Sequence, residues 1–331
     1  MRTVQRIIVS QHGGPEVLEF ENVELNDPSE NEIQIQHHAI GINLADTYFR
    51  SGVYPGKTPC GLGVEASGVI TEIGANVSNF SVGDRVTYTG SPLGAYSTAR
   101  NMPTDSLIAL PDSIGFDVAA ASTMRGLTAS YLLNKIWSLN AGDTVVMHAA
   151  AGGVGLLFCQ MASAKGITVI GTVGREEKVQ LARNSGCAHV LNTKTDDIPR
   201  LVRELTNGKG ADVVIDGIGK DTFHMSLKSV KRRGLMVCLG TASGAVEPFD
   251  PPTLMRQGSI YITRPARADY IADPEEKSEL VSFLFSQFAA GKATVSIGQR
   301  WRLDQAVDAH VAMESGVTTG SSIFDLTNSS N

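Results

Sequence analysis

The chain has 331 residues, 42% of them hydrophobic and 19% charged, with a formal net charge of −6. That length predicts two domains, each able to bury a core. The acidic balance argues against a general affinity for nucleic acid or anionic lipid, and no apolar run approaches the roughly 18 residues that span a bilayer. The first ten residues run straight into an alternating strand pattern and lack the layout of a secretory signal. Ile33, Ile35, His37 and Ala39 alternate with Gln34, Gln36 and His38, which predicts a half-buried strand. A short helix follows from Leu44 to Arg50, stopped by Ser51-Gly52. Strands are expected at Ala66–Ile73, Arg85–Tyr88 and Ala95–Ala99. Many short strands between Gly, Pro and Asn turns point to a small barrel-like β domain up to about Ser122.

After Ser122 the rhythm changes. Strands at Thr144–His148, Thr168–Val173, His189–Asn192, Asp212–Asp216, Gly234–Leu239 and Ser259–Thr263 alternate with helices at Gly153–Ala164, Glu176–Asn184, Asp196–Thr206 and Asp221–Val230. Such alternation means β-α-β units and a parallel sheet, and six strands fit the doubly wound dinucleotide fold. From about Pro274 come a helix (Glu275–Ala290), a strand (Gln299–Arg302), a second helix (Leu303–Ser315) and a closing strand (Ser321–Leu326). This tail is too short to stand alone and is expected to pack back onto the first domain. The boundaries read from the sequence are 1–122, 123–265 and 266–331, the middle segment being an insertion. Residues 327–331 are polar and expected to fray.

Four cysteines (Cys60, Cys159, Cys187, Cys238) lie tens of residues apart, so neither a disulfide framework nor a CxxC site is implied, and a reducing cytoplasm is the expected home. Cys159 and Cys238 read as small buried hydrophobes. No spacing among the cysteines and seven histidines suits a zinc ion, and His37 and His38 point to opposite faces of their strand.

The strongest motif is Ala149-x-x-Gly152-Gly153-Val154-Gly155, placed between a predicted strand and a predicted helix. Gly152 and Gly153 let the backbone turn and approach a pyrophosphate, Gly155 lets helix and strand pack closely, and the helix start offers free N–H groups. An NAD-preferring fold would place a carboxylate about 20 residues later. Here the sequence reads Thr172-Val173-Gly174-Arg175, with Lys178 one turn on. Two readings stand: the cations face a 2′-phosphate, or they are solvated helix residues.

These features, together with His12-Gly-Gly-Pro-Glu-Val17, Gly41-Ile-Asn43-Leu-Ala-Asp46-Thr-Tyr48, Gly61-Leu-Gly-Val64-Glu65-Ala-Ser-Gly68, Gly83-Asp-Arg-Val86, Arg232-Arg-Gly-Leu-Met236 and Arg264-Pro265, resemble the zinc-independent medium-chain dehydrogenases/reductases. Within them the chain resembles the NADPH:quinone oxidoreductases related to zeta-crystallin. The resemblance covers essentially the whole length. It implies an α/β protein in which a GroES-like β-barrel-type catalytic domain carries an inserted Rossmann domain with a six-stranded parallel sheet. It further implies hydride transfer from NADPH to a quinone in the cleft between the domains, and a homodimer joined through the sixth strand. Val64 stands where zinc-dependent relatives carry a His ligand.

Positions matching the family's cofactor contacts are Asn43, Thr128, Gly152, Gly153, Val154, Gly174, Lys178, Gly240 and Arg264. Tyr48 and Tyr54 match residues near the nicotinamide and the substrate opening. They orient a carbonyl oxygen, or they are structural tyrosines at a domain seam. Asp46 caps or buttresses its helix. Where the family often has a Tyr contacting the 2′-phosphate, Asn192 is followed by Thr193. Two other functions fit the same outline: reduction of an activated C=C bond in an enone or enoyl thioester, and a non-enzymatic nucleotide-dependent binding role.

Overall fold

The computed structural model describes residues 2–327; of the fraying expected at 327–331, all but Thr327 lies outside them, and Thr327 bonds the Asp325 carboxylate. The chain divides into two units, residues 1–125 with 295–331, and residues 126–294. The first unit begins with β1 (Arg2–Val9), β2 (Leu18–Leu25), β3 (Glu32–Ile42), α1 (Leu44–Ser51), β4 (Cys60–Gly61), β5 (Glu65–Ile73), β6 (Arg85–Thr89), β7 (Ala99–Pro103) and β8 (Leu107–Ala109). α2 (Phe116–Asn134) comes next, and the division falls within it.

The second unit holds β9 (Thr144–Met147), α3 (Gly153–Ala164), β10 (Thr168–Val173), α4 (Val179–Asn184), β11 (His189–Asn192), α5 (Ile198–Leu205), β12 (Ala211–Asp216) and α6 (Phe223–Ser229). It continues through β13 (Val230–Cys238), α7 (Pro252–Arg256), β14 (Tyr261–Thr263), α8 (Arg267–Tyr270) and α9 (Pro274–Ala289). The chain then returns to the first unit with β15 (Ile297–Trp301), α10 (Ala306–Glu314) and β16 (Ser321–Asp325).

In the first unit one sheet runs β15-β16-β3-β5-β6-β8, with β7 also pairing β3, and a smaller sheet runs β2-β1-β4. Its core gathers Ile7, Val9, Ile33, Ile35, Ile40, Tyr88, Tyr96 and Phe324. β3 is more deeply buried than its alternation predicts, because β5 and β7 flank it and its pairing with β5 shifts register at Gln34/Ile35 and His37/Ala39. The expected strand at Ala95–Ala99 is not formed. That stretch makes one isolated bridge, Ser97 to Arg6, and the regular strand starts at Ala99.

The second unit has the order β11-β10-β9-β12-β13-β14, all parallel. This is the doubly wound dinucleotide arrangement, with its switch point between β9 and β12. The apolar faces of α5 and α6 close one side over Val146, Ile170, Val214 and Met236.

Residues 266–294 group with this unit, whereas the sequence pattern assigned 266–331 to the first domain. Packing explains the difference. α9 buries Leu280 and Leu284, the Leu284 side chain sits where a Cβ on Gly126 would stand, and Lys135 pairs with Glu279 at 2.6 Å. Gln160 on α3 also receives a hydrogen bond from the Thr294 N–H at 2.9 Å.

Cys159 is fully buried as expected, but Cys238 is only partly so. The fold brings the thiols of Cys159 and Cys187 to 3.4 Å, a proximity that their 28-residue separation hides. Among the described residues no helix is long and apolar enough to cross a membrane.

Candidate cofactor and active site

In the second unit the C-terminal ends of β9, β10, β11 and β12 border a cavity of about 410 Å³. Gly152, Gly174 and Lys178, three of the sequence-predicted residues, line it. Gly152 is the residue before α3, in extended conformation, so the first turn of that 12-residue helix opens directly behind it. A Cβ on Gly155 would collide with the Ala149 carbonyl and lie 2.7 Å from that of Ala150. Glycine is therefore required for the helix to sit this close to the loop, as the motif predicts. Ala149 itself takes φ 53°, a left-handed turn that reverses the chain out of β9.

The end of β10 carries no carboxylate, and Thr172, Val173, Gly174, Thr193 and Lys194 are neighbours along the cavity wall. Arg175 is not among the lining residues. Its guanidinium is 3.8 Å from Glu177 on the surface. Of the two expected cations, Lys178 alone borders the cavity.

Beneath this cavity lies a polar layer that sequence reading passed over. His148, fully buried, bonds Thr172 Oγ1 at 2.8 Å and Ser226 Oγ at 3.0 Å. The Ser226 hydroxyl donates to Asp216 Oδ2 at 2.6 Å, and Thr222 donates to the same carboxylate at 2.7 Å. Asp216 Oδ1 also accepts the N–H groups of Ile218 and Gly219. Because Ser226 gives its proton to Asp216, Nε2 of His148 must donate to Ser226 and Nδ1 must accept from Thr172. Burial pushes the His148 pKa down, consistent with this neutral ring. The layer ties the ends of β9, β10 and β12 to α6, so it fixes the cavity floor.

Gly240 and Arg264 border a second, mostly apolar cavity of about 370 Å³ with Phe223, Val246, Phe249 and Ile262. Arg264 donates to the Cys238 carbonyl at 2.9 Å. Thr128 is buried on α2, and Gly153 and Val154 open α3.

The first unit contributes Asn43, Tyr48 and Tyr54. Asn43 is buried, and its amide donates to Glu65 Oε2 at 2.9 Å. The other Glu65 oxygen accepts the Met124 N–H. Gly41 is needed here, since a Cβ would run into Glu65 Oε2 and the Ala120 carbonyl. Asp46 caps α1 by accepting the Asn43 N–H at 2.7 Å, and it accepts the Tyr96 hydroxyl at 2.9 Å. Behind Tyr96, His310 Nε2 is 3.1 Å from the phenol oxygen, and Arg50 donates to His310 Nδ1 at 2.9 Å and to Glu314 at 2.6 Å. Each group in this buried chain donates to the next, from Arg50 through His310 and Tyr96 to Asp46. Desolvation raises the Asp46 pKa to about 7, and burial beside Arg50 lowers that of His310 to about 3.

Tyr48 and Tyr54 meet edge to face with centroids 5.2 Å apart, and the Tyr54 N–H bonds the Tyr48 carbonyl at 3.0 Å. The pair is thus preset by the C-terminus of α1. Val64 is a buried apolar side chain. Among the described residues no group of three or more His, Cys, Asp or Glu side chains is arranged to hold a metal ion.

Two family models match the chain: the alcohol dehydrogenase GroES-like domain over residues 29–133, and the zinc-binding dehydrogenase domain over residues 153–286. A quinone oxidoreductase from Salmonella typhimurium is 46% identical over 322 residues, covering 96% of this chain and 98% of that protein. The crystal structure of Escherichia coli quinone oxidoreductase complexed with NADPH superposes with a TM-score of 0.94 at 44% identity, covering 97% of this chain and 99% of that one. A 2-haloacrylate reductase from a Burkholderia species is 39% identical over 97% of this chain and 98% of its own length.

Proposed function

Because the chain belongs to the medium-chain dehydrogenase/reductase family and, within it, to the quinone oxidoreductases, we propose that it reduces quinones with NADPH and without a metal ion. The observation that carries this reading is the cavity at the end of β10, where glycines and Lys178 stand and an NAD-type carboxylate does not. The second unit is its cofactor-binding domain and the first its catalytic domain.

The residues present suit a dinucleotide. In the second unit Gly152, Gly153 and Val154 would present the α3 N-terminus to the pyrophosphate, Gly174 and Lys178 would face the adenosine 2′-phosphate, and Thr128, Gly240 and Arg264 would hold the remainder; Asn43 is the cofactor contact that the first unit would offer. When bound, the reduced nicotinamide supplies a hydride. The chain's part is position and electrostatics. Tyr48 and Tyr54 orient a quinone carbonyl oxygen, and the hydroquinonate formed takes its proton from water, so no dedicated acid is required. Asp46 and Glu65 hold Asn43 from its backbone and its amide respectively.

The edge position of β14 and the 55% exposure of Tyr261 upon it support a homodimer built by pairing two such edges. Four free thiols support a cytoplasmic home.

A second reading, reduction of an activated C=C bond, is favoured by the likeness to the 2-haloacrylate reductase. Titrating NADPH-loaded protein with a panel of quinones and enones separates the two. Quinone-dependent NADPH consumption is expected. Consumption with enones alone would transfer the assignment to the second reading, and NADPH binding with neither acceptor reduced would make this a binding protein.

A further inference from the structure

β10 and β11 are adjacent parallel strands with Val173 opposite Asn192, so the residues just past their ends leave the sheet side by side. Lys178 follows β10 and Lys194 follows β11, and both line the same cavity. We propose that Lys194 is a second cation for the cofactor's 2′-phosphate, and so a determinant of NADPH selectivity in this chain. The proposal rests on the reading of NADPH as the cofactor.

The loop that carries Lys194 is tightly held. The Thr193 N–H donates to the Val173 carbonyl at 2.9 Å, and the Thr193 hydroxyl turns to the same oxygen at 3.3 Å. The Lys194 N–H donates to Asn192 Oδ1 at 3.0 Å, and the Asn192 N–H donates to Asp196 Oδ2 at 2.8 Å. Thr193 therefore anchors the loop to the end of β10, and its short side chain does not replace the phenol that the family often has at this place. The next residue brings a positive charge to the same wall.

Charge along the wall decides in the same direction. Lys178 and Lys194 are opposed by one lining carboxylate, Asp221, whose backbone N–H is held by Ser243. A phosphate monoester carries about −1.5 to −2 at neutral pH, whereas the free 2′-hydroxyl of NADH carries none. Lys178 and Lys194 reach this wall from separate loops, so an anion bound there would meet both, and that favours NADPH specifically.

Equilibrium calorimetry tests this without turnover, using NADPH, NADH and the fragments adenosine 2′,5′-bisphosphate and AMP. Lys194→Ala is expected to weaken NADPH and the bisphosphate by about fivefold, an exposed charge contact being screened by solvent. NADH and AMP should bind as before, Lys194→Arg should retain most of the affinity, and added salt should narrow the gap between wild type and Lys194→Ala. If wild type prefers the 2′-phosphorylated ligands and Lys194→Ala binds them equally well, Lys194 is a solvated loop residue and only this proposal falls. If wild type shows no preference at all, the NADPH reading falls and takes the proposal with it.

Discussion

Single side chains set the pH behaviour of this fold. His37, His148 and His310 are buried and neutral, with the pKa of His37 and of His310 lowered to about 3 by desolvation. In the unfolded chain each titrates near its ordinary value of about 6.5. Their contribution to stability is therefore fully present above about pH 6.5 and is lost as pH falls toward 3. Asp46 acts in the opposite sense. With its pKa raised to about 7, its contribution is present below the unfolded carboxylate value and lost as pH rises through 7.

Three histidines outweigh one aspartate, so stability should fall by on the order of a few kcal/mol between about pH 6.5 and pH 4. Denaturant midpoints measured across that range check this, and a flat profile would contradict it. Lys178 gives a second prediction at the same scale. Lys178→Ala should raise the KM for NADPH by about tenfold, the weight of one charge-assisted contact, with NADH kinetics nearly unchanged. Equal loss with both cofactors would make Lys178 structural.

At the scale of elements, the close seating of α3 on its loop is the feature on which the cofactor site depends. Gly155→Ala forces a methyl group against two backbone carbonyls that cannot rotate away. A cost of about 1–3 kcal/mol and a parallel loss of NADPH affinity are expected in thermal melts and binding titrations. A variant that melts and binds like wild type would show that the glycine is dispensable.

The β-α-β alternation is legible because short β-rich runs recur between helix-length segments bounded by glycine and polar turns. Thr168–Val173 and His189–Asn192 were placed to the residue. α2 escaped because residues 126–133 are buried all round and leave no 3.6-residue period to read. Residues 266–294 group with the second unit through contacts, such as Leu284 against Gly126, that are far apart in sequence and leave no local pattern. In the site, glycines and the missing carboxylate were readable as motif and absence. The His148–Ser226–Asp216 layer was not, because three residues scattered over 78 positions form no local pattern.

For the whole molecule, pairing of β14 edges predicts a dimer mass by light scattering at micromolar concentration, and a monomer there would count against that interface. The central claim is broader: this chain moves a hydride from NADPH to a quinone using position and charge, with a buried valine at Val64 where a metal ligand would have to stand. The most direct measurement is turnover of a benzoquinone by exhaustively chelated protein, with NADPH and NADH compared at equal concentration. An unchanged rate after chelation, with NADPH favoured by about tenfold, is the expected result. Loss of activity restored by added zinc, or a preference for NADH, would contradict it.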